Sequence, residues 1–283
     1  MFHDIKLGDE GGRLAAVARY DIMDTPSEPQ FDNIVSLLKT IFKAPIALIS
    51  IIDDRRQWYK AIDGASLVEI PRDTSFCNYT IQSADIFAIE DMTLDPRFVD
   101  HPMVAEAPHL RSYLGIPLTS PDGYNIGTIC ILDTQPRRFG PDDYATLRQF
   151  AAVAITQFEL RQIASRDGLT GLATRRAFTE AAERELSRFL RHGQPVTLVI
   201  FDLDRFKSIN DTYGHGIGDA VLKSASAACE AVKRNEEQIG RIGGEEFAIL
   251  LVNTGLPEAK TAAERFRKAI EDATIREVPD LPF

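Results

Sequence analysis

The chain has 283 residues, 44% of them hydrophobic and 26% charged, a composition expected of a globular protein long enough for two domains of ordinary size. Its formal net charge of −10 argues against a nucleic-acid binder, which would show a basic patch or domain. No apolar run approaches the roughly 20 residues of a membrane-spanning helix, and the opening MFHDIKLGDEGG lacks the charged-then-apolar order of a signal peptide. Cys77, Cys130 and Cys229 stand apart without CxxC spacing, so a reduced, cytoplasmic chain without a structural zinc is expected.

LAAVARYDIMDT and FDNIVSLLKTIF carry apolar residues at helical spacing, with Pro26 and Pro29 marking the gap between them. PIALISIID (Pro45–Asp53), QWYKAI, IFAIEDM and YLGIPLTS read as strands. The turn SPDGY at Ser120–Tyr124 joins the last of these to NIGTICILD as a hairpin. Gly140-Pro141-Asp142 then opens a long helix, Pro in its first turn, running to about Ser165. Along it Tyr144, Leu147, Ala151, Ala154 and Phe158 alternate three and four apart, an a/d seam of about two heptads. Arg161 falls on that seam, whereas Leu160 and Ile163 offer a shifted one. The helix can pack on its own sheet, join two subunits as a parallel coiled coil, or do both with one face each. We favour the second reading, because the chemistry below needs two active sites to meet.

Two later segments carry that chemistry. In VIFDLDRFKSINDTYGHGIGDAVL (Val199–Leu222), Asp202 and Asp204 end an apolar strand and project past the sheet edge. In RIGGEEFAIL (Arg241–Leu250), Gly243-Gly244 precede the paired carboxylates Glu245 and Glu246. This reads as a hairpin with a carboxylate at its tip, its glycines supplying the positive φ of a tight turn. About forty residues lie between Asp202 and Glu245, enough for a βαβ-type crossover. Carboxylates from neighbouring strand ends, with a Lys nearby, can hold Mg²⁺ against a nucleoside triphosphate.

The run from Asp167 (DGLTGLATRRAF) through FDLDRFKSINDTYGHGIGD to GGEEF resembles the GGDEF family of diguanylate cyclases over Asp167–Phe283. Upstream, RYDIMDTP, IDDRRQWYKAIDG, SFCNY, DPRF and IPLTSPDGYNIGTICILD resemble a GAF sensor domain over Arg13–Gln162. The implied fold is α+β. A GAF-like antiparallel sheet with flanking helices is joined by the helix at about 141–165 to a nucleotidyl-cyclase-like (ferredoxin-like) α/β sandwich. The implied activity is condensation of two GTP into cyclic di-GMP with release of pyrophosphate, using Mg²⁺ or Mn²⁺. A homodimer through the GAF domain and connector helix is expected. A small-molecule GAF ligand is conceivable, but DTQPRRFGPDD has Asp133-Thr134 where the cyclic-nucleotide subgroup has Asn-Lys. SFCNY lacks the His that accompanies pigment attachment in bilin-carrying relatives, so Cys77 reads as a small buried hydrophobe. His101 and His109 have no partner spacing and read as surface or satisfied core residues.

The resemblance assigns roles by position. Asp202, the Leu203 carbonyl and Glu245 would bind the metal, Glu standing where most members have Asp. The backbone at Phe206 and the Lys207 ammonium would surround the β- and γ-phosphates, beside the Gly243-Gly244 loop. Asn210 and Asp219 would read the guanine edge, and Glu245 and Lys207 form the implied catalytic set. Arg234 and Glu237 occupy the places of the RxxD product-inhibition site, with Glu replacing Asp; the pair reads equally as a charged helix end on a solvated surface. Family domains continue beyond the point where VPDLPF283 ends, with a further strand and a Lys-bearing helix. An uncovered sheet edge is therefore expected beside the metal-bearing strand. Two function classes follow: a GAF-regulated cyclase, or a non-catalytic module that binds GTP or cyclic di-GMP or merely dimerises.

Overall fold

Helix α1 (Glu10–Tyr20) starts where the Asp9 carboxylate accepts from the Gly12 N–H at 2.9 Å. It ends at Asp21, which takes a left-handed conformation at φ 43. The expected continuation through IMDT is therefore outside the helix. Helix α2 (Pro29–Phe42) follows with Pro in its first turn. The computed structural model describes residues 5–234, 236–275, 278 and 281, leaving aside the side chain of His192. They divide into two compact units, Met1–Gln162 and Ile163–Phe283.

In the first unit the strands are β1 (Ile46–Ile52), β2 (Arg56–Asp63), β3 (Glu69–Pro71), β4 (Phe87–Ile89), β5 (Ser112–Thr119) and β6 (Asn125–Asp133). Short helices α3 (Phe76–Thr80) and α4 (Pro102–Ala105) lie between β3 and β5. The sheet runs β3-β2-β1-β6-β5-β4, antiparallel throughout. Strand β3 carried too few apolar residues to be read from the sequence. Both faces are covered. Ala47, Ile49 and Ile51 point with Leu114, Ile116 and Ile129 into the core that α1 and α2 cover. The alternate residues Leu48, Ile52, Tyr113 and Cys130 join Phe76 and Phe98 on the other side. This alternation is the pleat of a two-sided sheet.

Helix α5 (Pro141–Ala164) corrects one expectation. Its seam residues Leu147, Ala151, Ala154 and Phe158 are buried in their own unit, in the same core as Ile49 and Leu114. Phe158 stacks on Phe31 with ring centroids 4.6 Å apart. This stripe is thus satisfied within one subunit and is unavailable for a coiled coil. Arg161, the charged seam residue, is buried because its Nε donates to Glu28 at 2.8 Å, the carboxylate that Lys60 also contacts at 2.6 Å. The face left exposed is the shifted one, with Val153, Leu160 and Ile163 at 48%, 53% and 70%.

The second unit contains β7 (Ala173–Thr174), α6 (Arg175–His192), β8 (Val196–Asp202), α7 (Phe206–Tyr213) and α8 (His215–Val232), followed by β9 (Gln238–Arg241), β10 (Glu246–Val252) and α9 (Leu256–Glu271). Its sheet runs β7-β9-β10-β8. The crossover through α7 and α8 makes β8 and β9 parallel, but antiparallel β10 inserts between them. That is a split β-α-β arrangement of ferredoxin-like type. Phe247, Ile249 and Leu251 face α7, α8 and α9, while Ala248 and Leu250 face Phe178 of α6. Strand β8 is the outer strand of the described sheet, and its Leu198 and Ile200 are 52% and 59% exposed.

Candidate active site

The site assembles where β8 ends and β10 begins. Asp202, the last residue of β8, pairs with Glu246, the first of β10. One step further the Leu203 N–H donates to the Glu245 carbonyl at 3.3 Å. Asp202 and Glu245 therefore project from adjacent, directly hydrogen-bonded segments. Asp202 and Asp204 are exposed, Glu245 is half-buried, and Leu203 is buried with its side chain in the domain core. Among the described residues no group of three His, Cys, Asp or Glu side chains converges on one point. A metal here would draw on two carboxylates and a main-chain carbonyl.

The hairpin exists, but its glycines serve a different purpose from the one expected. Neither Gly243 nor Gly244 has a positive φ. A Cβ on Gly243 would lie 2.3 Å from the Glu246 Oε2, whereas one on Gly244 would meet nothing within 4 Å. The loop is closed by the Ile242 and Gly243 N–H groups, which donate to the Glu246 carbonyl at 2.9 and 3.2 Å. The bare Gly244 backbone leaves open space over the tip, as close approach of a ligand requires.

An arginine that no local sequence pattern points to holds this loop. Arg241 donates from Nε and Nη2 to the Gly244 carbonyl at 3.1 and 2.8 Å, and from Nη1 to Asp167 at 3.1 Å. Burial pushes the Asp167 carboxyl up, but hydrogen bonds from Thr170 and the Arg241 guanidinium outweigh it and hold the group below its usual range. Asp167 opens the DGLTGL stretch, so the signal lay in the motif without its partner being visible.

Helix α7 begins at Phe206 after Arg205 in a left-handed conformation, four residues beyond the end of β8 at Asp202. Phe206 is buried, Lys207 is exposed, and the Phe206 N–H makes a long 3.4 Å contact to the Leu203 carbonyl. Asn210, on α7, lies against the first turn of α8. A Cβ at Gly218 would come within 2.0 Å of its Oδ1. Because Asp219 follows Gly218, the two residues expected to read a base share one end of the α7–α8 pair, Asp219 exposed and Asn210 half-buried.

Glu237 departs from its expected exposure. It is 4% exposed, both of its oxygens lie 2.6 Å from the Arg265 Nη2, and its Oε2 accepts from the Arg234 N–H at 2.8 Å. The carboxylate is thus spent on tying α9 to the turn before β9. Arg234 itself is exposed. In the first unit, His101 is satisfied, its Nε2 lying 2.9 Å from the Thr74 carbonyl and its Nδ1 accepting from Met103. No helix among the described residues is long and apolar enough to cross a membrane.

Residues 27–157 match the model of the GAF domain, and residues 164–278 match that described as diguanylate cyclase, GGDEF domain. A cyclic di-GMP phosphodiesterase of Pseudomonas aeruginosa is 31% identical over 274 residues, covering 94% of this chain and 46% of that protein. The probable diguanylate cyclase DgcC of Escherichia coli strain K12 is 32% identical over 151 residues, covering 53% of this chain and 40% of that protein. Among solved structures, diguanylate cyclase SiaD of Pseudomonas aeruginosa, in complex with its activator SiaC, aligns at 36% identity and a TM-score of 0.40. That alignment covers 48% of this chain and 53% of that one. The chain spans less than half the length of both curated relatives.

Proposed function

Since this chain is a GAF domain followed by a GGDEF domain, we propose that it acts as a signal-regulated diguanylate cyclase, joining two GTP into cyclic di-GMP and releasing pyrophosphate. The observation that carries this reading is the hydrogen bond from the Leu203 N–H to the Glu245 carbonyl at 3.3 Å, with Asp202 adjacent. The groups we assign to the ion all offer oxygen donors, which suits Mg²⁺ or Mn²⁺. Asp202, the Leu203 carbonyl and Glu245 would hold the ion. When bound, it would supply charge neutralisation at the α-phosphate.

The protein's own groups do the rest by positioning. The first turn of α7 at Phe206 and the Lys207 ammonium receive the β- and γ-phosphates, and Gly243 and Gly244 let the backbone approach the nucleotide. Asp219 accepts from the guanine N1–H and N2–H₂, with Asn210 beside it. Adenine offers no such donor pair, so the wrong base leaves a carboxylate unpaired. To Glu245 we also assign the proton of the attacking 3′-hydroxyl. Two such sites facing each other would convert a bimolecular encounter into a positioned one. The exposed α5 face at Val153, Leu160 and Ile163 is the surface we assign to the homodimer. A cavity of about 300 Å³ in the GAF domain has room for a small ligand, and GTP as substrate fits a cytoplasmic location. Arg234 is the residue we assign to product binding.

Chromatography of nucleotides after incubation with GTP and Mg²⁺ tests the reading. Cyclic di-GMP that appears with GTP and is abolished by chelation supports it, and no product despite GTP binding overturns it. A second reading has its own support, because the relative matched over 94% of this chain is named a phosphodiesterase. In that case the GGDEF domain binds GTP or cyclic di-GMP without turnover and regulates a neighbouring activity.

A further inference from the structure

Cys77 on α3 and Cys130 in the middle of β6 stand 53 positions apart in sequence, yet their Sγ atoms are 3.8 Å apart. Both are buried, at 3% and 0% exposure. Two packed thiols need no polar surroundings, but these have them. The Cys77 sulfur accepts from the Gln57 Nε2 at 3.2 Å and from the Tyr113 hydroxyl at 3.4 Å. Those donors are oriented in turn. The Ser75 hydroxyl donates to the Gln57 Oε1, and the Thr80 hydroxyl lies 2.7 Å from that of Tyr113. Donors aimed at one sulfur favour its thiolate, the reactive form.

The cavity of about 300 Å³ reaches this sulfur. Its walls include Leu48, Ile70 and Leu110, its inner end includes Gln57, Cys77 and Tyr113, and Leu67 on its lining is 44% exposed. Cys77 therefore faces the cavity, whereas Cys130 lies behind it in the sheet. We propose that Cys77 and Cys130 form a hydroperoxide-reactive dithiol, with Cys77 as the attacking sulfur and Cys130 as the resolving one. This inference stands apart from the cyclase reading and does not depend on it.

The chemistry balances without another reactant. The Cys77 sulfur attacks the terminal oxygen of ROOH, the O–O bond breaks, and ROH leaves carrying the proton, with Cys77 as the sulfenic acid. The Cys130 sulfur then attacks Cys77, the S–O bond breaks, and the hydroxyl leaves as water with the Cys130 proton. Two thiols lose two electrons, and one O–O bond gains them. Closing the sulfurs from 3.8 Å to the roughly 2.05 Å of a disulfide requires a side-chain rotation and a small shift of the five-residue α3. The proton affinities agree with the assigned order. Burial pushes the Cys77 thiol up, but hydrogen bonds from Cys130, Thr128 and Tyr113 bring it below the usual thiol range, whereas burial and its partner Cys77 raise Cys130.

The test treats the reduced full chain with hydrogen peroxide and, separately, with cumene hydroperoxide. Free thiols are then alkylated, and intact mass and non-reduced peptides are analysed. Cys229, buried in the other unit with its thiol pushed up to about 12, is the internal control. The expected result is loss of two hydrogen masses, a peptide linking Cys77 to Cys130, and Cys229 still alkylated. The faster oxidant identifies the source as a small peroxide or an apolar organic one. Cys130→Ser should accumulate a dimedone-reactive sulfenic acid at Cys77, and Cys77→Ser should leave Cys130 reduced, with near-ultraviolet circular dichroism confirming that both variants fold. If Cys77 and Cys130 remain alkylatable after either oxidant, or oxidise no faster than Cys229, the proposal is overturned by the unmodified chain alone.

Discussion

Arg241 and Asp167 stand 74 positions apart in sequence and meet at 3.1 Å, and the same guanidinium grips the Gly244 carbonyl. The tip of the β9–β10 hairpin is thereby anchored to the first residues of its domain. Asp167→Asn should leave Arg241 without its counter-charge and loosen the loop. We expect GTP affinity to fall about three- to tenfold, the worth of roughly one net hydrogen bond, read by calorimetry. Unchanged affinity would remove Asp167 from the site's support.

The same residue sets an acid dependence. Its folded-state carboxyl lies below the ordinary value of 3.8, so its stabilising contribution is complete above that pH. The contribution is lost as pH falls through the depressed folded value. Thermal melts above and below pH 3.8 should show a larger acid-side loss in the unmodified protein than in Asp167→Asn. Parallel curves would contradict the pairing.

Glu245→Gln keeps the shape of the side chain but removes the charge assigned to the metal. Turnover of GTP should drop by ~100-fold or more, while nucleotide binding changes by only a few fold. Full turnover in this variant, measured by product chromatography, would reassign the metal ligands.

Base recognition has two handles. Asp219→Ser should narrow the preference for GTP over ATP, because the penalty of an unpaired carboxylate disappears. Gly218→Ala acts indirectly, since its Cβ would fall 2.0 Å from the Asn210 Oδ1 and must turn that side chain away. GTP affinity should weaken severalfold with a small loss of melting temperature, as the Asn210 side chain turns away and the Phe206 ring, 3.3 Å from that Cβ, gives slightly. A large loss of stability instead would mean that α7 and α8 themselves are forced apart.

Glu237 and Arg234 should separate cleanly. Glu237→Ala leaves Arg265 without its carboxylate in a site where Glu237 is 4% exposed. A cost of about 3 kcal/mol is expected in urea unfolding. Arg234→Ala should leave stability unchanged and relieve inhibition by cyclic di-GMP. Glu237→Asp should not tighten that inhibition, because the shorter side chain withdraws from Arg265 without becoming exposed.

The dimer assignment is equally direct. Leu160→Glu combined with Ile163→Glu should convert a dimer to a folded monomer by light scattering, since both positions are exposed. Ala154→Glu, on the buried stripe, should unfold the domain instead. Dissociation by the second change and not the first would reverse the two faces of α5.

The sequence alone determined a good deal. Short runs rich in apolar residues placed β1, β2 and β5, the turn at Ser120–Tyr124 placed β6, and Pro141 marked the start of α5. The acidic ends of two apolar runs identified Asp202 and Glu245, because local spacing records which residues share an end or a face. It does not record what covers that face. The stripe from Leu147 to Phe158 suits its own sheet as well as a second subunit, the reading that the sequence favours, and only packing against Phe31 and Ile49 decided for the sheet. Glu237 likewise reads as a solvated charge until α9 brings Arg265 across 28 positions to bury it. The Cys77–Cys130 contact spans 53 positions, and the Arg241 clamp spans 74. Contacts of that separation depend on register and crossover, which arise from burying both faces of each sheet at once. No local pattern encodes them, so the partners of these charged and sulfur-bearing groups were decided by the tertiary structure.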